Sequence, residues 1–267
     1  MDFLQILVLA VLQGVTEFLP ISSSGHLLLV PILTGWQDQG VGLDIATHVG
    51  TLLAVFMYFR ADFIDMSKAL LGLGAVDAVT DGRRLFRHLV IGSLPALLAG
   101  AGLYFLSDLN LRSLLMVATT TLVFGVVLGI ADRFFKGART LRNMTNWDAL
   151  FIGLFQVIAL FPGSSRSGMT MAAALFRGFE RAEATRFSML LSVPIIAAAG
   201  LAMTAKEIVS GDAAFGQDAL LVGAVSFAVA YVVIKTLMAW INKMGFMPFV
   251  IYRLALAIFL LGLYFSG

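Results

Sequence analysis

Long apolar runs cut by short polar breaks set the pattern of this chain. Residues 3–19 are mostly apolar and are interrupted by Gln13, Thr16 and Glu17. Pro20 closes that run, because proline lacks an N–H and disfavours helix in the residue before it. The next apolar stretch, residues 26–33, is too short to cross a bilayer, which takes about 20 residues. Residues 43–59, 88–107 and 111–131 then read as full spans, the last two joined by a turn from Ser107 to Asn110. After a polar interval the pattern restarts. Residues 148–161 and 168–176 form a second broken pair, and 187–205, 218–240 and 247–265 are three more spans. Polar connections are expected at 34–42, 60–87, 132–147 and 177–186, with an acidic loop around Asp212 and Asp218. The pattern predicts an all-α polytopic membrane protein in which each half is a re-entrant helix hairpin plus three transmembrane helices. Such a chain is one membrane domain, 1–267, with a first repeat over 1–135 and a second over 145–267.

Composition removes the soluble alternative. Of 267 residues, 60% are hydrophobic and only 13% charged, against roughly 25% charged in ordinary chains, and the mean hydropathy is +0.94. The net charge of +2 is not a nucleic-acid signature. It reads as a topological bias instead: Arg60, Lys68, Arg83, Arg84 and Arg87 crowd one connection, and Arg133, Lys136, Arg139 and Arg142 another. Both connections are cytoplasmic by the positive-inside rule. Basic 177–186 joins them if 148–176 returns to its own side. The N-terminus, the 34–42 loop, the acidic loop and the C-terminus then face out. The first hairpin enters from outside and the second from inside, so the halves are inverted, and sites in such proteins lie at the repeat interface. The first residues carry no basic region or small-residue cleavage site of a signal peptide. With no cysteine there is no disulfide or thiolate chemistry. Trp36, Trp147 and Trp240 fit an interfacial belt, His48 and His88 fit span ends, and Lys235 and Arg253 are expected to snorkel to the cytoplasmic face.

The chemistry concentrates in the two breaks. Gln13 and Glu17 are four apart and share a helix face, and a carboxylate inside a membrane segment is a functional hypothesis by default. Ser22, Ser23, Ser24, Gly25 and His26 open a short helix, whose free N–H groups suit an anion such as phosphate. One serine is explained by N-capping; three with a histidine are not. A hydroxyl near a histidine and a carboxylate is also a nucleophile-and-base set. The second break carries Gly163, Ser164, Ser165, Arg166, Ser167 and Gly168. Arg166 is a permanent cation whose planar fork matches phosphate oxygens; a structural pair with Glu17 is the plain alternative.

Together the two motifs resemble the undecaprenyl-diphosphate phosphatase family of the bacitracin-resistance type. The first signature is met by Gln13, Glu17, Pro20, Ser22, Ser23, Gly25 and His26, and the second by Pro162, Gly163, Ser165, Arg166, Ser167 and Gly168. The likeness covers essentially the whole chain. Many members carry Glu where this chain has Gln13, which removes one carboxylate from any cation site. The resemblance implies a bacterial inner-membrane enzyme, with its site open to the outer face, that hydrolyses undecaprenyl diphosphate to undecaprenyl phosphate and inorganic phosphate. It recycles the lipid carrier for peptidoglycan synthesis and so confers bacitracin resistance. Its implied catalytic set is Glu17, Ser23, His26 and Arg166, with Gln13, Ser22, Ser24, Gly25, Gly163, Ser164, Ser165, Ser167 and Gly168 binding substrate. A divalent cation, Mg or Ca, would involve Glu17 and Gln13. The expected partners are the polyprenyl diphosphate and membrane lipids; a homodimer is allowed. Two rivals use the same residues. A polyprenyl-phosphate or anion transporter would build the same inverted-repeat site. A type 2 phosphatidic-acid phosphatase would share Ser24-Gly25-His26, but needs a histidine after Ser165-Arg166, and the only histidines are His26, His48 and His88.

Overall fold

The computed structural model describes residues 3–36, 41–105, 113–210 and 217–266. Within them are eleven α-helices and no named strand: α1 Phe3–Thr16, α2 Ser23–Thr34, α3 Val41–Tyr58, α4 Arg60–Leu70, α5 Val76–Phe105, α6 Leu114–Phe134, α7 Asn146–Ile158, α8 Arg166–Phe176, α9 Arg181–Ser210, α10 Gln217–Met244 and α11 Met247–Ser266. Helices α5, α6, α9, α10 and α11 are long and apolar enough to cross a membrane. A sixth crossing arises if α3 and α4, bent by 74° at their junction, count as one span. The chain is therefore a polytopic helical membrane protein. Helix α1, at 14 residues, is only about 21 Å long, short of the roughly 30 Å hydrocarbon core. The turn at 107–110 and the loop at Asp212 lie outside the described residues.

Three expectations need correction. The 60–87 connection is not a loop: α4 and the first turns of α5 are helical through it. Hydropathy registers its polarity, whereas a charged helix is as regular as an apolar one once one face is packed, here by Met66 and Ala69. The charged segment 177–186 likewise enters α9 at Arg181. Arg253 does not snorkel: it is completely buried, held inside the protein by backbone carbonyls.

The helices cross closely where small residues meet, the usual device in membranes. At α3 against α10, a side chain on Gly50 would collide with the Gly223 carbonyl. Helix α1 packs on α10, where Ser226 Oγ donates to the Ala10 carbonyl at 3.1 Å; α7 packs on α5, where Gln156 Nε2 reaches the Gly92 carbonyl at 3.4 Å. Helix α8 is the most enclosed: Ser167 through Leu175 are all buried, packed against α6, α7 and α9.

Polar ties anchor the ends of these helices. Asp148 caps α7 with Thr145 in a capping box and is clamped by Arg139 at 2.6 Å and Arg177 at 2.6 Å. Asp132 pairs with Arg181 at 2.6 Å, and Asp62 pairs with Arg186. Burial alone would raise the Asp148 carboxyl, but the two guanidinium groups and the Thr145 N–H and hydroxyl hold it well below the usual carboxylate range. A group lowered in this way contributes stability that is complete above its unfolded value near ~3.9. That stability is lost as pH falls through the folded value. Asp148→Asn is thus expected to destabilise the protein by about 2 kcal/mol. Thermal melts in detergent should give the same deficit at pH 6 and pH 8, shrinking only in strong acid.

Candidate active site

The two helix breaks fold alike. Ser22 precedes α2 with φ 73° and Ser165 precedes α8 with φ 68°, both in the left-handed region that costs a residue with a Cβ. Ser22 Oγ accepts from Gly25 N at 3.3 Å, and Ser165 Oγ accepts from Gly168 N at 3.2 Å. Ser22 lies 3.2 Å from Ser24, and Ser165 lies 3.2 Å from Ser167, oxygen to oxygen. The breaks also bind each other. Gly163 N donates to Ser24 Oγ at 3.1 Å, and Ser167 Oγ donates to the Leu19 carbonyl at 3.0 Å. Each break thus satisfies polar backbone of the other, which is what irregular chain away from water requires.

A cavity of about 450 Å³ opens beside this pair, and Gln13, Glu17, Ser22, Ser23, Ser24, Ser165 and Arg166 line its polar part. Gly25, His26, Gly163, Ser164, Ser167 and Gly168 lie outside that lining. Glu17 is the hub. Its Oε1 accepts from Arg166 Nη2 at 2.9 Å. Its Oε2 accepts from Gln13 Nε2 at 2.9 Å and from Ser23 Oγ at 3.1 Å. Arg166 Nη1 donates to the Ser188 carbonyl at 3.2 Å. A hydroxyl aimed at a carboxylate, with a fork-shaped cation on its far side, can give up a proton while an anion is held. Thr16, Asp44, His48 and Gln156 are further polar lining residues, and the apolar lining includes Leu27, Leu28, Pro31, Ile195, Ile196 and Met203.

His26 is engaged elsewhere. Its Nδ1 lies 2.7 Å from the Ser22 carbonyl, so that nitrogen carries the proton, and its Nε2 faces Tyr252 Oη at 2.6 Å. Neither Ser23 nor Glu17 is among its partners. Sequence reasoning missed three residues. Tyr252 closes on His26 from α11. His48 lines the cavity and accepts the second Gln13 amide proton at its Nδ1, 3.2 Å away. Arg253 reaches both breaks. His48 offered a signal, since it lies one helical turn after Asp44 in an otherwise apolar run; Arg253 offered none, because basic residues near span ends are ordinary.

The donors suit a resident divalent cation poorly. Both oxygens of Glu17 are taken, and the Gln13 Oε1 is a buried acceptor with no protein partner. Among the described residues no three His, Asp or Glu side chains converge as metal ligands.

The two serine-capped breaks of an all-helical membrane protein thus meet at a charged cavity. Residues 6–259 match the family model described as bacitracin resistance protein BacA, and the chain belongs to that family. It is 47% identical to the undecaprenyl-diphosphatase of Idiomarina loihiensis over 99% of this chain and all of that protein. It is 48% identical to the undecaprenyl-diphosphatase of Marinobacter nauticus over 96% of this chain and 97% of that one.

Gly163 tests the geometry. At φ 88° it adopts a conformation that favours glycine, and a Cβ there would strike Thr120 Oγ1 and come within 2.5 Å of the Val117 carbonyl. Gly163→Ala is expected to cost on the order of 2 kcal/mol, read as a lowered melting temperature in detergent.

Proposed function

We propose that this protein is a membrane-embedded phosphatase that hydrolyses undecaprenyl diphosphate to undecaprenyl phosphate and inorganic phosphate. The observation that carries the proposal is the Ser23–Glu17–Arg166 chain in a cavity that joins polar side chains to an apolar wall of Leu27, Leu28, Pro31, Ile195, Ile196 and Met203. That cavity matches an amphiphile with a diphosphate head and a prenyl tail, and the curated relatives bear the name undecaprenyl-diphosphatase.

In the proposed reaction Arg166 and the N-terminus of α8 hold the phosphates. Ser23 Oγ attacks the terminal phosphorus and passes its proton to Glu17. The bridging P–O bond breaks, and undecaprenyl phosphate leaves with the electron pair. Water then attacks the phosphoserine, inorganic phosphate departs, and Glu17 returns the proton to Ser23. His26, through the Ser22 carbonyl, steadies the turn that presents Ser23. Were a divalent cation bound beside the diphosphate, Gln13 Oε1 would be the group to hold it, and the ion would supply neutralisation of phosphate charge.

The repeats are read as inverted, with residues 1–135 and 145–267 as the two halves of one domain. The protein is assigned to the bacterial inner membrane with the cavity open to the outer face. Its product would return the carrier to peptidoglycan synthesis and deprive bacitracin of its target.

The test is phosphate release from undecaprenyl diphosphate by purified protein in detergent, with and without EDTA. Arg166→Ala should lower turnover at least about a hundredfold, the scale of losing a donor to developing charge. Ser23→Ala should do the same, whereas a few per cent of residual rate would favour direct attack by water. No release from folded wild type would refute hydrolysis and favour carriage of the same anion.

A further inference from the structure

Arg253 is the largest fully buried side chain among the described residues. Among those residues no carboxylate pairs with it. Its Nη1 donates to the carbonyls of Pro20 at 3.4 Å and Ser164 at 3.1 Å; its Nη2 donates to those of Gly163 at 3.0 Å and Ser164 at 3.1 Å; its Nε donates to that of Thr121 at 3.3 Å. A cation without a counter-ion is expensive to bury, and five donors in a rigid fork are here met by carbonyl dipoles from three segments. Pro20 and Gly163 sit at matching positions of the two breaks, two residues before Ser22 and Ser165. One guanidinium therefore grips the same point in each copy. Two glycines make room for it: a Cβ on Gly168 would lie 3.1 Å from Nη1, and one on Gly125 would lie 3.2 Å from the Arg253 Cβ.

We infer that Arg253 is a positioning residue that presents the second break to the phosphates without touching them. Arg253 is absent from the cavity lining, whereas Ser165 and Arg166 belong to it. Every peptide bond described is trans, so the carbonyl of Ser164 and the N–H of Ser165 point in opposite directions. Drawing that carbonyl onto Arg253 turns the Ser165 N–H away from the guanidinium, and Ser165 itself lines the cavity. Ser165 is strained at φ 68°, and strain persists only where the surroundings over-determine it. Two guanidinium donors on the Ser164 carbonyl supply that determination. Thr120 Oγ1 to the Pro162 carbonyl at 2.5 Å and Thr121 Oγ1 to the Gly163 carbonyl at 3.2 Å hold the same loop from α6. Lysine would keep the charge of Arg253 but not the fork.

The inference rests on the diphosphate reading above, so its test carries two readouts: phosphate release from undecaprenyl diphosphate, and affinity for inorganic pyrophosphate by calorimetric titration. Full-length Arg253→Lys in detergent is expected to melt cooperatively. Well below that melt it should lose at least tenfold in kcat and bind pyrophosphate at least fivefold more weakly. A purely structural arginine would move the melt and leave both readouts alone. If Arg253→Lys does not fold, Gly168→Ala crowds the fork while keeping the arginine, and the same losses are expected. A folded variant within twofold of wild type in both readouts overturns the proposal. Wild type that binds pyrophosphate but releases no phosphate removes hydrolysis, and the binding arm still decides the role of Arg253.

Discussion

The structure turns on a debt of hydrogen bonds. Two helices stop inside the protein, and each exposes amide and carbonyl groups that hydrocarbon cannot solvate. The solution is mutual: serines of each break cap their own helix and reach the other, and one arginine binds carbonyls of both. The enclosed small-residue helix α8 lets these segments approach. Once the breaks are locked together, the first residues of α2 and α8 converge, and Ser23 and Arg166 meet around one carboxylate.

The copies agree at the serines that cap the two helices and differ at the reactive side chains of the proposed site. Gln13 matches Gln156, Ser22 matches Ser165, Ser24 matches Ser167 and Gly25 matches Gly168. At the first helical residue, however, Ser23 stands against Arg166, and Glu17 stands against Leu160. Gln13 and Gln156 both line the cavity, and each keeps a buried amide oxygen without a protein partner. The frame is shared, and the hydroxyl, the carboxylate and the guanidinium are individual.

Much of this was legible in the residues. The five long apolar helices, both breaks and the polar cavity residues followed from hydropathy, proline and serine chemistry, because those signals are local. What escaped was tertiary. Helix α4 escapes hydropathy because charge masks a helix whose packed face is Phe63, Met66 and Ala69. His48 looked interfacial until the fold brought Gln13 against it. Arg253 looked like a snorkelling cation because its partners lie 89 to 233 residues away in sequence. The second partner of His26 is Tyr252, which no spacing rule connects to it.

The departure of the two breaks from strict twofold likeness has a consequence for stoichiometry. Two identical copies would set serine against serine or guanidinium against guanidinium, giving either no cation or two that repel. Because Ser23 and Glu17 come from one break and Arg166 from the other, a chain assembles a single such cluster with a built-in polarity. In the proposed reaction a phosphate would thus have one end at which to be gripped and one face from which to be attacked, and neither break would supply the full set alone.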